Sequence, residues 1–360
     1  MRVLPALQDP TSVAPPANAF DRFLLRFIRD PRDLPFMHLT LRITLTLVPL
    51  GVLLFIPAVS GWVWWVVAVA YLGFYMLYKG PFGLMGHCAA HRPLFKREYD
   101  WLSYYMPTIL ALFFGMTPET YRGHHIGMHH PENNMPEDLS TTMPYQRDSV
   151  KGFLHYLTVF LFTGVFTLIT YLFRKNRSKM ALKAMSGEIS FAVMCGFLLW
   201  LNAPATIVVF LIPFVFTRII SMIGNWTQHA FVDGSDPANA YKNSITCINV
   251  KYNHLCWNDG YHISHHCRPS MHWSEHPRFF MKTIDQYAAN KAIIFDGLDF
   301  GQIFFLLMKK RYDRLAKHVI NVNGTFQNEQ EIIALMQYRV QPIQEWNEAP
   351  KPVKHMVSER

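Results

Sequence analysis

The sequence contains few charged residues for its length. Asp, Glu, Lys and Arg make up 16% of its 360 residues, against roughly a quarter in a typical soluble domain. Residues 43–78 and 189–217 contain no charged side chain. Stretches of this kind argue against a chain made of ordinary soluble domains. They can fill the hydrocarbon core of a bilayer, which takes about 20 apolar residues per helix.

Several signals of other protein classes are also missing. The five cysteines are an odd number and form no CxxC pair, which argues against a disulfide framework or a zinc ribbon and indicates reduced thiols. The first 35 residues have no apolar core of a secretory signal peptide. No HExxH zinc-protease motif, HPGG haem motif or Rossmann glycine fingerprint occurs.

We predict four membrane spans that form two hairpins. The paired segments are 43–59 with 62–78, and 189–201 with 205–223. Ser-Gly at 60–61 separates the first pair, and Asn-Ala-Pro at 202–204 separates the second. The expected fold is all-α, a multi-pass membrane protein with a helical cap on its cytoplasmic side.

Basic residues flank these hairpins and explain the net charge of +9. They are Arg22, Arg26, Arg29, Arg32 and Arg42 before the first hairpin, and Arg174, Lys175, Arg177, Lys179 and Lys183 before the second. Because Lys and Arg collect on cytoplasmic flanks, both hairpins should begin and end in the cytoplasm, and no nucleic-acid partner is needed. The apolar segment 152–173 then ends at a cytoplasmic flank, so we expect it to be interfacial or re-entrant.

Three regions follow from this pattern. Residues 1–40 form a cytosolic lead-in, residues 41–277 a membrane domain, and residues 278–360 a cytosolic helical tail.

Ten of the 17 histidines fall in four short groups, each just beyond an apolar segment. The groups are HCAAH with His87 and His91, HHIGMHH with His124, His125, His129 and His130, NWTQH with Asn225 and His229, and HISHH with His262, His265 and His266. Residues three or four apart share one face of an α-helix, so each group can direct its side chains to one point. Neutral imidazole is a ligand for Zn, Cu, Fe and Ni, and eight or nine imidazoles are too many for one ion. The pattern therefore predicts two metal ions.

In this arrangement the sequence resembles the membrane fatty-acid desaturase/hydroxylase superfamily. HxxxH at 87–91, HxxxHH at 125–130 and HxxHH at 262–266 look like its three histidine boxes, and NxxxH at 225–229 resembles the extra ligand segment of acyl desaturases. The likeness covers about residues 40–277.

The resemblance implies which residues hold the metal. The expected ligands are His87, His91, His125, His129, His130, His229, His262, His265 and His266, with Asn225 holding a metal-bound water. His125 is preferred to His124, because His124 and His129 are five apart and would leave the shared face of an α-helix. His124, Asp138 and Asp259 are expected to orient the ligands through their second ring nitrogen. His254, His272 and His276 fit no helical pairing and are expected not to be ligands.

The resemblance also implies the chemistry. It predicts two iron ions (Fe2+/Fe3+), O2 as co-substrate and oxidation of an unactivated C–H bond in a fatty acyl chain, with desaturation as the first hypothesis. Oxidative decarboxylation of a free fatty acid to a terminal 1-alkene and fatty-acyl or alkyl hydroxylation are alternatives. Outside the enzymes, the alternative is a His-rich membrane metal transporter or sensor.

The surroundings of the site can be predicted as well. We expect an acyl channel lined by Leu and Phe of the first span and by residues 102–116, with Arg122, Arg268 or Lys251 as a clamp for a free carboxylate. Electrons should come from a separate ferredoxin, cytochrome b5 or reductase. The protein should lie in a lipid bilayer with its site facing the cytoplasm, in the inner membrane of a bacterium or the endoplasmic reticulum of a eukaryote.

Overall fold

A computed structural model of the chain describes residues 1–343. In this part of the chain the fold is mostly helical, as predicted, and it contains two short strands that the all-α prediction did not include. The helices before residue 229 are α1 (Ala19–Leu24), α2 (Leu34–Leu45), α3 (Leu47–Leu53), α4 (Gly61–His91), α5 (Ala111–Phe113), α6 (Thr120–His124), α7 (His130–Glu132), α8 (Val150–Arg174), α9 (Ser178–Thr206) and α10 (Ile212–Gln228). Shorter elements after them are α11 (Ala240–Asn243), β1 (Thr246–Ile248), α12 (Lys251–Leu255), α13 (His262–Cys267), α14 (His276–Lys282), α15 (Ile284–Ala289), β2 (Ile294–Asp296), α16 (Phe300–Met308), α17 (Tyr312–Ala316) and α18 (Glu329–Arg339).

Four helical runs are long and apolar enough to cross a membrane, judged by length and composition. They are Pro31–Leu53, Gly61–His91, Val150–Arg174 and Ser178–Gln228. The last run has 51 residues, so it would be about 75 Å long at 1.5 Å per residue, more than twice the thickness of a hydrocarbon core. Its backbone leaves the helical conformation at Asn202 (φ −155°, ψ 89°), which is the predicted turn, so the run can pass twice.

The turns of the two hairpins meet at one end of the bundle. The backbone oxygen of Leu54 accepts hydrogen bonds from Trp64 Nε1 at 3.1 Å and from Asn202 Nδ2 at 3.5 Å. Further along α4, the hydroxyl of Tyr71 donates to the backbone oxygen of Val209 at 2.9 Å. These contacts hold the two hairpins together, and the histidines lie at the opposite end of the bundle.

Helix α8 contacts the histidine end of the bundle at both of its own ends. Near its start, the hydroxyl of Tyr156 lies 3.4 Å from the backbone oxygen of Ser140. At its last residue, Arg174 forms an ion pair with Glu137 at 2.7 Å. Although α8 is long enough to cross a membrane, these contacts hold both of its ends at the histidine end of the bundle. They favour the interfacial position predicted for 152–173.

Residues beyond α10 form a helical cap over the histidine end. Strands β1 and β2 pair in parallel, with Thr246 opposite Ile294, and they connect the two sides of the predicted boundary at residue 277. The buried guanidinium of Arg147 donates to the backbone oxygens of Ala230 and Arg339 at 2.9 and 2.8 Å. The division into three regions stays a prediction, and residues 344–360 of the predicted tail lie outside the described residues.

Close backbone packing of α9 positions the loop before the second histidine group. A Cβ atom at Gly187 would lie 2.0 Å from the backbone oxygen of Pro118, whereas a Cβ at Gly196 in the same helix would meet nothing within 4 Å.

We therefore expect Gly187→Ala to lower the midpoint of thermal unfolding in detergent. The added methyl group forces α9 away from the loop, a strain that typically costs about 1–3 kcal/mol. Gly196→Ala is the matched control and should leave the midpoint unchanged or raise it, since Ala favours helix over Gly by about 1 kcal/mol. Equal midpoints for the two variants would contradict this account of the packing.

Candidate metal centre

Each histidine group lies where a helix enters the cap. His87 and His91 occupy the last two turns of α4, and His229 directly follows α10. The third box forms α13, at 262–267. The second box differs, because residues His125–His129 form a π-helix between α6 and α7.

Nine imidazoles assemble into two groups in which the candidate ligand atoms all lie within 4.8 Å of one another. The five-histidine group consists of His87, His91, His125, His130 and His265. The four-histidine group consists of His129, His229, His262 and His266. All nine ligands expected from the resemblance are therefore brought together, and they are divided between two points, as the count of imidazoles predicts.

Hydrogen bonds alone do not account for the five-histidine group. Its Nε2 atoms form a chain in which His87 lies 2.9 Å from His265, His265 lies 3.0 Å from His130, His130 lies 3.1 Å from His125, and His125 lies 2.9 Å from His91. A ring nitrogen of neutral histidine either donates one hydrogen bond or accepts one. The three inner atoms of the chain each have two neighbours, so the chain cannot be satisfied throughout by N–H···N bonds.

A shared metal ion fits these distances. Imidazole nitrogens bind first-row ions at about 2.1 Å, so two such ligands at a right angle are separated by roughly 3.0 Å. In the four-histidine group, His262 Nε2 lies 3.3 Å from His229 Nε2 and 3.0 Å from His266 Nε2. Both groups thus have the spacing of ligands around one ion each.

Burial favours the neutral form of several of these imidazoles, which is the form that binds a metal. It lowers the pKa of His125, His262, His265 and His266 well below the usual value for histidine, and the neighbouring histidines lower the pKa further. Burial and His129 lower the pKa of His229 to about 4. At neutral pH these five rings therefore have a lone pair available for a metal.

The π-helix corrects the predicted geometry of the second box. In a π-helix residues five apart share a face, so His125 and His130 converge on the five-histidine group, while His129 belongs to the four-histidine group. The expectation that each box points to one site is therefore wrong for the second box. It is also wrong for the third box, because His265 belongs to the five-histidine group and His262 and His266 to the four-histidine group. His124 lies outside both groups, as predicted, although the reason based on α-helical spacing does not hold.

Asp138 faces the second box from the following loop. Its Oδ2 lies 2.7 Å from His129 Nδ1, and its Oδ1 lies 3.7 Å from His124 Nε2. Burial by itself would raise the pKa of Asp138, but the hydrogen bond with His129 and the nearby His124 ring hold it well below its usual value. A carboxylate in this position orients the His129 ring with Nε2 toward the four-histidine group.

Two further residues contact the second ring nitrogen of histidines in these groups. Asp259 Oδ1 lies 3.5 Å from His87 Nδ1, and Asp259 Oδ2 accepts a hydrogen bond from Tyr252 at 2.7 Å. His229 Nδ1 lies 3.0 Å from both oxygens of Asn243. Asn243 was missed by the sequence reasoning, because it lies 14 residues from His229 and belongs to no motif.

Asn225 lies beside the four-histidine group but outside it. Its Nδ2 donates to the Ser140 backbone oxygen and to the Tyr156 hydroxyl, both at 2.8 Å. Its amide is therefore oriented by these two bonds, and Oδ1 remains for a water molecule.

The three histidines expected not to be ligands lie outside the two groups. His254 belongs to the exposed surface, and His272 Nε2 lies 3.1 Å from Asp33 Oδ1. His276 is buried with its ring centre 6.3 Å from that of His265. Asp30, Asp33 and His272 also lie close enough for one ion, but Arg92 and Arg32 already neutralise Asp30 at 2.7 and 2.8 Å.

A cavity of about 410 Å³ adjoins both histidine groups and extends between α4, α8 and α10. His87 and His125 border it from one group, and His129 and His262 from the other. Its walls are largely apolar, with Phe160, Leu168 and Met222 among them.

Part of the predicted lining is wrong. Residues 43–59 do not border this cavity, since its walls come from later helices, although 114–116 do. The clamp candidates Arg122, Arg268 and Lys251 are also absent from its lining. The cations that line it are Lys79 and Arg218. Each is the first charged residue after an uncharged stretch, which is the signal that could have identified them.

Comparison with known families agrees with the geometry. A model of the fatty acid desaturase family matches residues 80–296, more than half of the chain. The chain belongs to this family. Searches among curated proteins and among solved structures returned no significant match.

The family confirms the resemblance and sets the general activity. A fatty acid desaturase is an oxidoreductase acting on fatty acyl chains, and with its four apolar helical runs the chain is an integral membrane protein. The matched residues include all four histidine groups.

Substitutions in the second box can distinguish a metal ligand from a histidine that only lies next to one. We expect His125→Ala to reduce the metal content of the purified protein, because it removes a member of the five-histidine group, whereas His124→Ala should retain most of the metal. Metal per chain is measured by inductively coupled plasma mass spectrometry. Loss in His124→Ala without loss in His125→Ala would contradict this assignment.

Loss of the Asp138 carboxylate should weaken metal binding without removing a ligand. We expect Asp138→Asn to lower metal affinity by about 10–100-fold, the usual effect of losing a group that orients a ligand histidine. Chelator titration of the purified protein measures this. Glu137→Gln is the adjacent control, since Glu137 pairs only with basic residues of the α8–α9 turn, and an equal effect in both variants would rule out a specific role for Asp138.

Proposed function

We propose that this protein uses two iron ions and O2 to oxidise an unactivated C–H bond of a fatty acyl chain, and that the product is an unsaturated chain. The observation that carries the proposal is the five-plus-four division of imidazoles beside a largely apolar cavity. The desaturase family supports oxidation of an acyl chain in general.

Iron is preferred among the metals that imidazole binds. Zinc has no redox chemistry, so it cannot serve a reaction that removes two hydrogens from a hydrocarbon. Bound iron, together with O2 and two electrons from outside, supplies the oxidant.

The residues of the chain hold and shield the reactants. Asp138 and Asn243 would fix two ligand rings, and the oxygen of Asn225, whose amide nitrogen is held by Ser140, would hold a water. The apolar walls of the cavity hold the acyl chain and exclude water from the reacting carbon. Asp259, bonded to Tyr252, fixes the His87 ring on the opposite side.

One observation bears on a second candidate, oxidative decarboxylation. Lys79 places an ammonium group in the wall of the cavity, which suits a substrate with a free carboxylate. Oxidative decarboxylation to a 1-alkene requires a free acid, whereas desaturation accepts acid, ester or thioester. Decarboxylation also needs the β-carbon, two bonds from the carboxylate, beside the ions. Lys79 lies about 12 Å from His87 along α4, so a carboxylate held by Lys79 would favour oxidation farther along the acyl chain.

The position of the protein in its membrane is part of the proposal. The basic turn at 174–179 lies beside the segment that carries the second histidine box, since Lys175 pairs with Glu132 at 3.2 Å. The charge rule for cytoplasmic flanks therefore puts the metal centre on the cytoplasmic side. A separate ferredoxin, cytochrome b5 or reductase would deliver electrons there.

Expression in a host that lacks this protein tests the function. Lipids and headspace are compared by gas chromatography–mass spectrometry with and without O2, using His125→Ala as the inactive control. We expect new unsaturated acyl chains that require both O2 and His125.

Other products would redirect or overturn the proposal. Volatile 1-alkenes would indicate decarboxylation instead of desaturation, and hydroxylated lipids would indicate hydroxylation. A protein that binds one zinc per chain and forms no oxidised lipid with O2 and reductant would support the transporter or sensor instead.

A further inference from the structure

The cavity beside the histidines contains one cation that has no anionic partner among residues 1–343. Three side chains with fixed charge line it, Lys79, Arg218 and Asp259. Arg218 lies 3.5 Å from Glu188 and donates to the Gly115 backbone oxygen at 3.0 Å. Asp259 lies at the His87 ring and accepts a bond from Tyr252. Lys79 has neither a carboxylate within 4 Å nor a hydrogen-bond acceptor in the described part of the chain.

The Lys79 ammonium points into the seam between α4 and α10. Its Nζ lies 5.8 Å from the ring centre of Phe216 on α10. One turn earlier on α4, the hydroxyl of Tyr75 is hydrogen bonded to Thr217 at 2.9 Å. A lysine at a membrane boundary often extends to the headgroup region, but these contacts direct Lys79 between two helices that flank the cavity.

An open wall connects Lys79 with the metal centre. Lys79, Gly83 and His87 are spaced by four residues and so share one face of α4. The rise of the helix puts His87 about 12 Å from Lys79 along the axis. A Cβ at Gly83 would meet nothing within 4 Å, so space remains along the helix for an alkyl chain.

We propose that Lys79 binds the carboxylate of a free fatty acid, which makes the free acid, and not an ester or thioester, the substrate. This inference rests on the proposed oxidation of an acyl chain. An ammonium in a largely apolar cavity is costly unless an anion meets it, and a carboxylate forms a charge-assisted hydrogen bond with it. An ester or thioester carbonyl has no charge to offer at this position.

Equilibrium binding tests the proposal without turnover. Full-length protein in neutral detergent is incubated with a radiolabelled saturated acid, chosen from decanoic to octadecanoic acid as the tightest binder. Competition by the unlabelled acid, its methyl ester, its coenzyme A thioester and phosphatidic acid is measured under nitrogen and without reductant. The variants are Lys79→Met, Lys79→Arg and, as an exposed lysine outside the cavity, Lys183→Met.

We expect the free acid to compete best in the unmodified protein. Lys79→Met should lower the affinity for the free acid about tenfold to a hundredfold, the range expected for loss of a hydrogen bond between charged groups. The affinity for the methyl ester should stay the same. Lys79→Arg should restore most of the affinity, and Lys183→Met should have no effect. Metal content equal to that of the unmodified protein shows that Lys79→Met is folded.

Two results would overturn the assignment. One is equal competition by the ester, the thioester or phosphatidic acid in the unmodified protein, and the other is unchanged acid affinity in folded Lys79→Met. Failure of the proposed function looks different, because it would leave Lys79-dependent acid binding intact and yield no oxidised product in the expression experiment.

Discussion

The need to satisfy nine imidazoles at two points, six of them buried and three half-buried, governs the rest of the structure. A neutral imidazole removed from water needs a partner for each ring nitrogen, and chains of Nε2 atoms about 3 Å apart cannot supply one by hydrogen bonding. A pair of metal ions can supply these partners, provided that a group bound to the other ring nitrogen orients each imidazole. Asp138, Asn243 and Asp259 perform this second task for three of the rings, so the cap must bring loops from distant parts of the chain to the ends of the helices.

The membrane part of the fold positions the helix ends that carry the histidines. The hairpin turns meet at one end of the bundle through Leu54, which leaves the opposite ends of α4 and α10 free to carry histidines into the cap. Between these helices and α8 lies a largely apolar cavity that ends at both histidine groups. In the proposed function this cavity would hold an alkyl chain beside the histidines, and the few charged side chains along it would select the end group of that chain.

Much of the fold and of the ligand set could be predicted because it depends on local patterns. Long uncharged stretches indicate spans, the Asn202 turn follows from its neighbours, and histidines repeat at helical spacing. Partners of the ligands were harder to predict. Asp138 is near its histidines in sequence and was foreseen, whereas Asn243 reaches His229 only through the folded chain. Lys79 and Arg218 were not singled out, because a charge at the end of an apolar stretch looks the same whether it faces headgroups or a cavity.

The sequence by itself determined that the chain is a helical membrane protein of the desaturase type and that histidines at 87–91, 125–130, 229 and 262–266 converge. Only the tertiary structure decided how they divide. The second box forms a π-helix, in which residues five apart share a face, so His125 and His130 join one group and His129 the other. Spacing along the chain cannot show this division, because the choice between α and π turns is made by packing against α8, α9 and the Asp138 loop.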